Sequence, residues 1–331
     1  MIMRNDLYDI EKGILIVLVV IGHTVNTNSI IHNLIFSFHM PVFFMLTGLL
    51  SHWNCEHKEF LIKRIRAYVV PYFSWCLLLF LVFWIENPMK YIVRVIYGGA
   101  MNTTHYTYPF WFICCLFVSS VIFNYLWNLR KWVLIVLICY LFLWYTYLYD
   151  KSIPCLPWSL EVAPFVIMYF FIGFYVSRIE EFAVDRWGSW LYIVPVAIAI
   201  YLVITHICGY SMFTITMKTM KFGCFPLDIL YPLTFYLAIK GICIIVNNIE
   251  TVKKVFLLIG KASLVIMYTH ASIFNICKQI SFTDYLQVVD APPSFIVVEI
   301  MVAIMLGCGI FSLFTRNRSL AFLFLGKYIY K

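Results

Sequence analysis

The sequence predicts an all-α polytopic membrane protein of about ten transmembrane helices with both termini in the cytoplasm. Three observations predict it. Hydrophobic residues make up 63% of the chain and charged residues 12%, whereas soluble domains run near half apolar and a quarter charged. Apolar runs of spanning length follow one another from end to end with no linker. Lys and Arg concentrate on alternate connecting segments, as the positive-inside bias requires. Aromatics at 19% suit Trp and Tyr belts at the two interfaces. The net charge of +8 then reflects basic cytoplasmic loops, and no nucleic-acid partner is expected.

The predicted spans are 13–31, 33–50, 67–85, 109–128, 132–149, 158–177, 189–207, 225–246, 255–276 and 294–314. Residues 1–12 hold Asp6, Asp9 and Glu11, and no small-residue cleavage site follows the first run. That run is therefore expected to stay as a helix and not to act as a cleaved signal peptide. Orientation comes from charge. Arg4, Lys12, Lys58, Lys63, Arg64, Arg66, Arg130, Lys131, Arg178, Arg186, Lys253, Lys254 and the basic residues of 315–331 fall on the inner segments. Only Lys90, Arg94, Lys151, Lys218, Lys221 and Lys278 fall on the outer ones. The eleven cysteines show no metal-ligand spacing, and most read as small buried hydrophobes. Cys208 and Cys224 flank one outer loop, and no disulfide is expected there. The spans leave room for a single domain over 1–331 and show no internal repeat.

Depth arithmetic singles out the polar residues. Lys12 and His23 are eleven positions apart on the first helix, close to three full turns, so both share a face about 16 Å apart. His39, in Phe38-His39-Met40-Pro41, lies roughly 16 Å from the inner end of the second span, and His270 roughly 18–22 Å from the start of the ninth. A lone intramembrane histidine can be a packing residue; three at one level point to a shared polar cavity. His32, His52, His57 and His105 fall at span ends or in loops and call for no special role, and His206 lies near the outer end of the seventh span. The stretch Lys58 to Arg66 reads as a basic loop. Positive-inside retention accounts for part of it, but Lys63 and Arg66 at i, i+3 can also face one phosphate-bearing ligand. Basic groups at the inner face and a histidine about 16 Å higher suit a ligand with a phosphate head and a thin arm, and coenzyme A has that shape. On the outer side Glu161 and Asp228, with Trp111, Trp158 and Tyr231 near them, are candidate carbohydrate contacts. The competing reading is interfacial carboxylates reaching water and belt aromatics.

Asp9-x-x-Lys12-Gly13 leading to Val19-Val20-Ile21-Gly22-His23 resembles the basic-x10-His signature of the acyltransferase-3 family of membrane O-acyltransferases. Phe38-His39-Met40-Pro41 through Gly48, Lys63-Arg64-Ile65-Arg66 before Pro71-Tyr72, Phe110-Trp111-Phe112, and Gly260-Lys261-Ala262-Ser263 through His270 are similar to its later landmarks. The fucose 4-O-acetylase-like branch resembles the chain most. The resemblance implies an acyl group, usually acetyl, passed from cytoplasmic acyl-CoA to a hydroxyl of a surface polysaccharide or its lipid-linked precursor, in the bacterial plasma (inner) membrane. Acetyl-CoA is then the donor, with no metal, and a homo-oligomer is left open. Carried over, His23 is the catalytic candidate, with His39 and His270 beside it, and Lys12, Lys63, Arg64 and Arg66 contact donor phosphates. Lys12 stands where many members have Arg, which trades a bidentate contact for a point charge. No hydrolase-like domain is expected after the last span. Two mechanisms stay open: His23 as general base for direct attack on the thioester, or a transiently acylated histidine. Two other classes compete. A transporter would favour inverted repeats and matched broken helices. A non-catalytic scaffold gives no reason for histidines at a shared depth.

Overall fold

The computed structural model describes residues 6–26, 29–83, 87–101, 104, 106–144, 154–210, 215–222, 225–280 and 293–327. The architecture is all-α. Among the described residues the only extended pairing is an isolated antiparallel bridge between Thr216 and Lys221. Among the described residues, eight helical stretches are long and apolar enough to cross a membrane: Ile30–Leu50, His57–Phe83, Tyr108–Tyr125, Pro157–Val184, Gly188–Ile207, Leu227–Asn247, Glu250–Cys277 and Ser294–Arg316. The other two expected spans correspond to helix α1 (Asp6–Thr24) and to α8 (Arg130–Leu143). Outward rows such as Leu77, Leu81, Val194, Met301 and Met305 are exposed. Water would penalise such rows, whereas lipid accepts them.

Three prolines shape the membrane helices. A proline lacks the N–H that would bond the carbonyl four residues back, and its ring crowds that carbonyl. Pro41 stands four residues after Ser37, and there the second span divides into α2 (Ile30–Phe36) and α3 (His39–Leu50). Pro71 stands four after Ala67. The helix there widens into a π-helical stretch, Ile65–Val69, between α4 (His57–Arg64) and α5 (Val70–Phe83). The expected basic loop is therefore helical. Pro232, inside α11 (Leu227–Asn247), frees the carbonyl of Asp228, which accepts from Tyr169 Oη at 2.8 Å.

The remaining elements are α6 (Pro88–Tyr97), α7 (Trp111–Tyr125), α9 (Ala163–Trp187), α10 (Ile193–Ile207), α12 (Glu250–Ile280), α13 (Pro293–Arg316) and α14 (Arg318–Leu325). The C-terminal segment is not a free tail. It turns back as α14 onto α5, where Trp75 Nε1 donates to Phe324 O at 3.2 Å.

One contact sets the register of the core. α1 lies along α12, and the helices meet through Gly13 and Gly260. A Cβ on Gly260 would sit 1.7 Å from Asp9 O, and one on Gly13 2.5 Å from Phe256 O. Ten positions further along each helix stand His23 and His270, their ring centroids 5.2 Å apart. The two helices therefore run parallel, and equal offsets from one crossing bring the two histidines to one level. Two buried clusters flank this pair. One gathers α3, α7, α9 and α11; the other gathers α5, α12, α13 and α14. α1 contributes to both.

Candidate active site

A cavity of about 610 Å³ opens along the seam between the two clusters. Phe43 and Phe112, which line it, pack against both. Lys12, Lys261 and Lys327 stand at one end, with Ala67 and Tyr68 of the π-helical stretch. His23, His32, His39, His270, Tyr108 and Lys218 gather at the other.

Four histidines meet there, one more than the depth arithmetic anticipated. His23 is the hub. Its ring centroid lies 5.2 Å from each of Phe36, Tyr108 and His270. His32 stacks on Phe36 at 3.8 Å, and His39 meets Phe36 at 4.8 Å. The rings differ in how they are held. His39 Nδ1 lies 2.7 Å from Ile35 O, a carbonyl beside the Pro41 break. His270 Nδ1 lies 2.9 Å from Ile266 O. His32 Nδ1 lies 2.8 Å from Gly22 O, one of the carbonyls left open at the end of α1. A carbonyl only accepts, so each of these rings carries a proton on Nδ1 and, when neutral, presents Nε2 as an acceptor. His270 Nε2 is buried and has no hydrogen-bond partner among the described residues. His23 makes no hydrogen bond to any described residue and is only half-buried, so its ring nitrogens are open to the cavity.

His32→Ala is expected to weaken the join between α1 and α2. The loss should match one hydrogen bond, about 0.5–1.5 kcal/mol, read as a lower midpoint in thermal unfolding of the purified protein.

The other expected site residues fall in two groups. Trp111 lines the cavity. Lys12 also lines it while pairing with the buried Asp9 at 2.6 Å. An ammonium has three donors, so two remain for a ligand. The cavity lining does not include Lys63, Arg64 or Arg66. Lys63 is exposed and reaches Glu59 at 3.8 Å. Arg64 donates to Ser51 Oγ at 2.6 Å and to Tyr68 Oη at 2.9 Å, and its guanidinium lies 4.6 Å from the Phe60 ring centroid. It therefore positions Tyr68 at the cavity wall. Arg66 is exposed inside the π-helical stretch, one residue past its start, so the i, i+3 argument, which assumes α-helical geometry throughout, does not apply unchanged to this pair.

Glu161, Trp158 and Asp228 stand apart from the cavity. Trp158 and Ser159 take positive φ (57° and 56°) in the turn of 3-10 helix Pro157–Val162. Trp158 Nε1 is spent on Ile96 O at 3.0 Å, and Glu161 Oε2 accepts from Leu156 N at 2.9 Å. Asp228 is buried at the head of α11. His206, also away from the cavity, is buried at the end of α10. Cys208 is exposed and unbridged, while Cys224 and His105 lie outside the described residues.

Comparison with known proteins bears on this arrangement. The model of a family described as an acyltransferase domain matches residues 6–328. Nodulation protein NolL of Mesorhizobium japonicum is 24% identical over 219 residues, which cover 60% of this chain and 55% of that protein. The chain thus spans about half the length of this curated relative. No solved structure matches the chain. The chain belongs to the acyltransferase family, and among its described residues it carries helices long and apolar enough to cross a membrane.

Proposed function

We propose that this member of the acyltransferase family takes an acyl group, acetyl in the first instance, from cytoplasmic acyl-CoA. It passes the group to a hydroxyl of a cell-surface glycan or its lipid-linked precursor at the bacterial plasma membrane. One observation carries the reading. A single cavity joins a lysine-lined end to a histidine cluster, with Lys12 and His23 about 16 Å apart on one helix face. The donor's phosphates meet Lys12, Lys261 and Lys327. Its pantetheine arm runs past Ile16 and Val19 and delivers the thioester to His23.

His23 then acts as general base. It takes the proton of the acceptor hydroxyl as that oxygen bonds to the thioester carbonyl carbon. Collapse of the tetrahedral intermediate breaks the C–S bond, and the departing thiolate receives the proton from His23. His270 Nε2 stands by as an acceptor that orients the His23 ring once protonated, and His39 closes the wall through Phe36. The water-poor, aromatic lining favours transfer to the acceptor over hydrolysis.

Purified protein in nanodiscs, given labelled acetyl-CoA and the surface-glycan fraction of its source cells, is expected to place base-labile label in the glycan. No label in the glycan, with the protein shown to move lipid-linked sugar across vesicles, would establish a transporter instead. Label trapped on a histidine in a single turnover would replace the direct step with an acyl-enzyme.

The lysine end makes its own prediction. Lys12→Ala combined with Lys261→Ala removes two charge-assisted contacts of about 1.5–3 kcal/mol each, so affinity for acetyl-CoA should fall at least about a hundredfold. Lys63→Ala with Arg66→Ala removes exposed charges of about 0–1 kcal/mol and should change that affinity little. Isothermal titration of the two double variants decides the ranking.

A further inference from the structure

The loop 215–222 carries a cation to the histidine end of the cavity. Its backbone is closed by Thr216 N to Lys221 O at 2.8 Å and Lys221 N to Thr216 O at 3.1 Å. Ile215, Met217 and Phe222 are buried beneath it, and Phe222 stacks on Phe165 with centroids 3.7 Å apart. Lys218, on the turn between the paired residues, is therefore held in place. Its ammonium donates to the backbone carbonyl of Tyr108 at 3.2 Å and lies 6.0 Å from the centroid of the Tyr108 ring, the ring packed against His23.

Lys218 is half-buried, and among the described residues no carboxylate lies within ion-pair distance of it. Burial lowers its pKa below the ordinary lysine value, because the charged form loses hydration. A partly desolvated ammonium satisfied by one carbonyl and a ring face keeps donors to spare and, among the described residues, lacks a counter-charge. Lys221, in the same loop, is exposed and does not line the cavity. At the opposite end of the cavity three lysines already await the donor's phosphates, so the donor is not the natural counter-ion for Lys218.

We infer that Lys218 forms an anion subsite for the acceptor, which carries a carboxylate or phosphate group a short distance from the hydroxyl presented to His23. The inference rests on the acyl-transfer reading for the identity of the ligand, though not for its charge. A carboxylate on the sugar itself and a phosphate linking the sugar to a carrier lipid share this chemistry. Thr219, Tyr108 and His32 supply hydroxyl and ring surfaces around the subsite for the sugar. The carbohydrate contacts expected at Glu161 and Asp228 play no part in it.

The test is lysine-modification footprinting of the intact purified protein in nanodiscs, with galacturonic acid, glucose 1-phosphate and galactose as probes at matched ionic strength. Modification of Lys218 should slow about tenfold at an anionic sugar concentration ten times its Kd, with no change in galactose and none at Lys221. Protection by galacturonate alone assigns the charge to the sugar, and protection by glucose 1-phosphate alone assigns it to the linkage. Equal protection by galactose, or none by either anion, overturns the inference. Acetyl-CoA binding is measured on the same preparation. Its loss would sink the acyl-transfer reading, while anion protection of Lys218 would still stand or fall by itself.

Discussion

His23→Ala is expected to lower acyl transfer by about 10²–10⁴-fold, the range contributed by a positioned general base, while the protein still inserts and accumulates. The geometry separates this ring from its neighbours. His32, His39 and His270 each spend Nδ1 on a backbone carbonyl, so each also ties the backbone together. His23 makes no such tie, and its contacts with Phe36, Tyr108 and His270 are ring contacts that alanine leaves as a small void. The variant should therefore unfold near the parent midpoint and lose the chemical step. The measurement is label transfer from acetyl-CoA, run beside an acetyl-CoA binding isotherm on the same preparation. Binding should persist, because the proposed phosphate contact at Lys12 lies three turns away. Full transfer in His23→Ala would remove the base from the mechanism. Loss of donor binding along with transfer would mean that the ring holds the thioester and not the hydroxyl proton.

The level shared by His23 and His270 was legible in the sequence because helical rise is a constant. Ten residues past a glycine on either helix reach the same height, whatever the side chains between. What escaped the sequence depends on departures from regular helix or on chain segments that return from a distance. The i, i+3 spacing of Lys63 and Arg66 assumes an α-helix, and the helix is π-widened from Ile65 onward, with Arg66 inside the widened stretch. His32 lay beyond the start of the expected second span, yet the Pro41 break lets α2 fold against the end of α1 and brings its ring to Phe36. The motif Phe38-His39-Met40-Pro41 carried that signal, since a proline inside an apolar run predicts a break four residues earlier. Lys327 and Lys218 reach the cavity through the end of α14 and the loop 215–222, and no periodicity marks either. Glu161 and Trp158 followed a pattern of carboxylate beside aromatic that a strained helix corner produces as readily as a sugar site does.

Gly260→Ala is expected to damage the protein more than alanine at Gly307 or Gly309, and this graded series can show why. At Gly309 nothing lies within 4 Å of a new Cβ, so alanine there should be neutral or stabilise by up to about 1 kcal/mol through helix propensity. At Gly307 the new carbon would lie 2.5 Å from Ile266 Cγ1, a side-chain atom that can turn aside, and a modest loss is expected. At Gly260 it would lie 1.7 Å from Asp9 O, a backbone atom in the turn that carries Lys12. The only relief is to push α1 away from α12. Overpacking of this kind costs about 1–3 kcal/mol, and the midpoint of thermal unfolding should fall in the order Gly309, Gly307, Gly260. Activity should fall further than stability at the last position, because the same contact sets the height of His23 against His270. A displacement near 1 Å at a reacting centre can cost about a hundredfold in rate. Transfer rates measured on the fraction that remains folded separate the two effects. Rates that follow stability alone across the three variants would leave the glycine crossing a packing device, with the alignment of the two histidines set elsewhere.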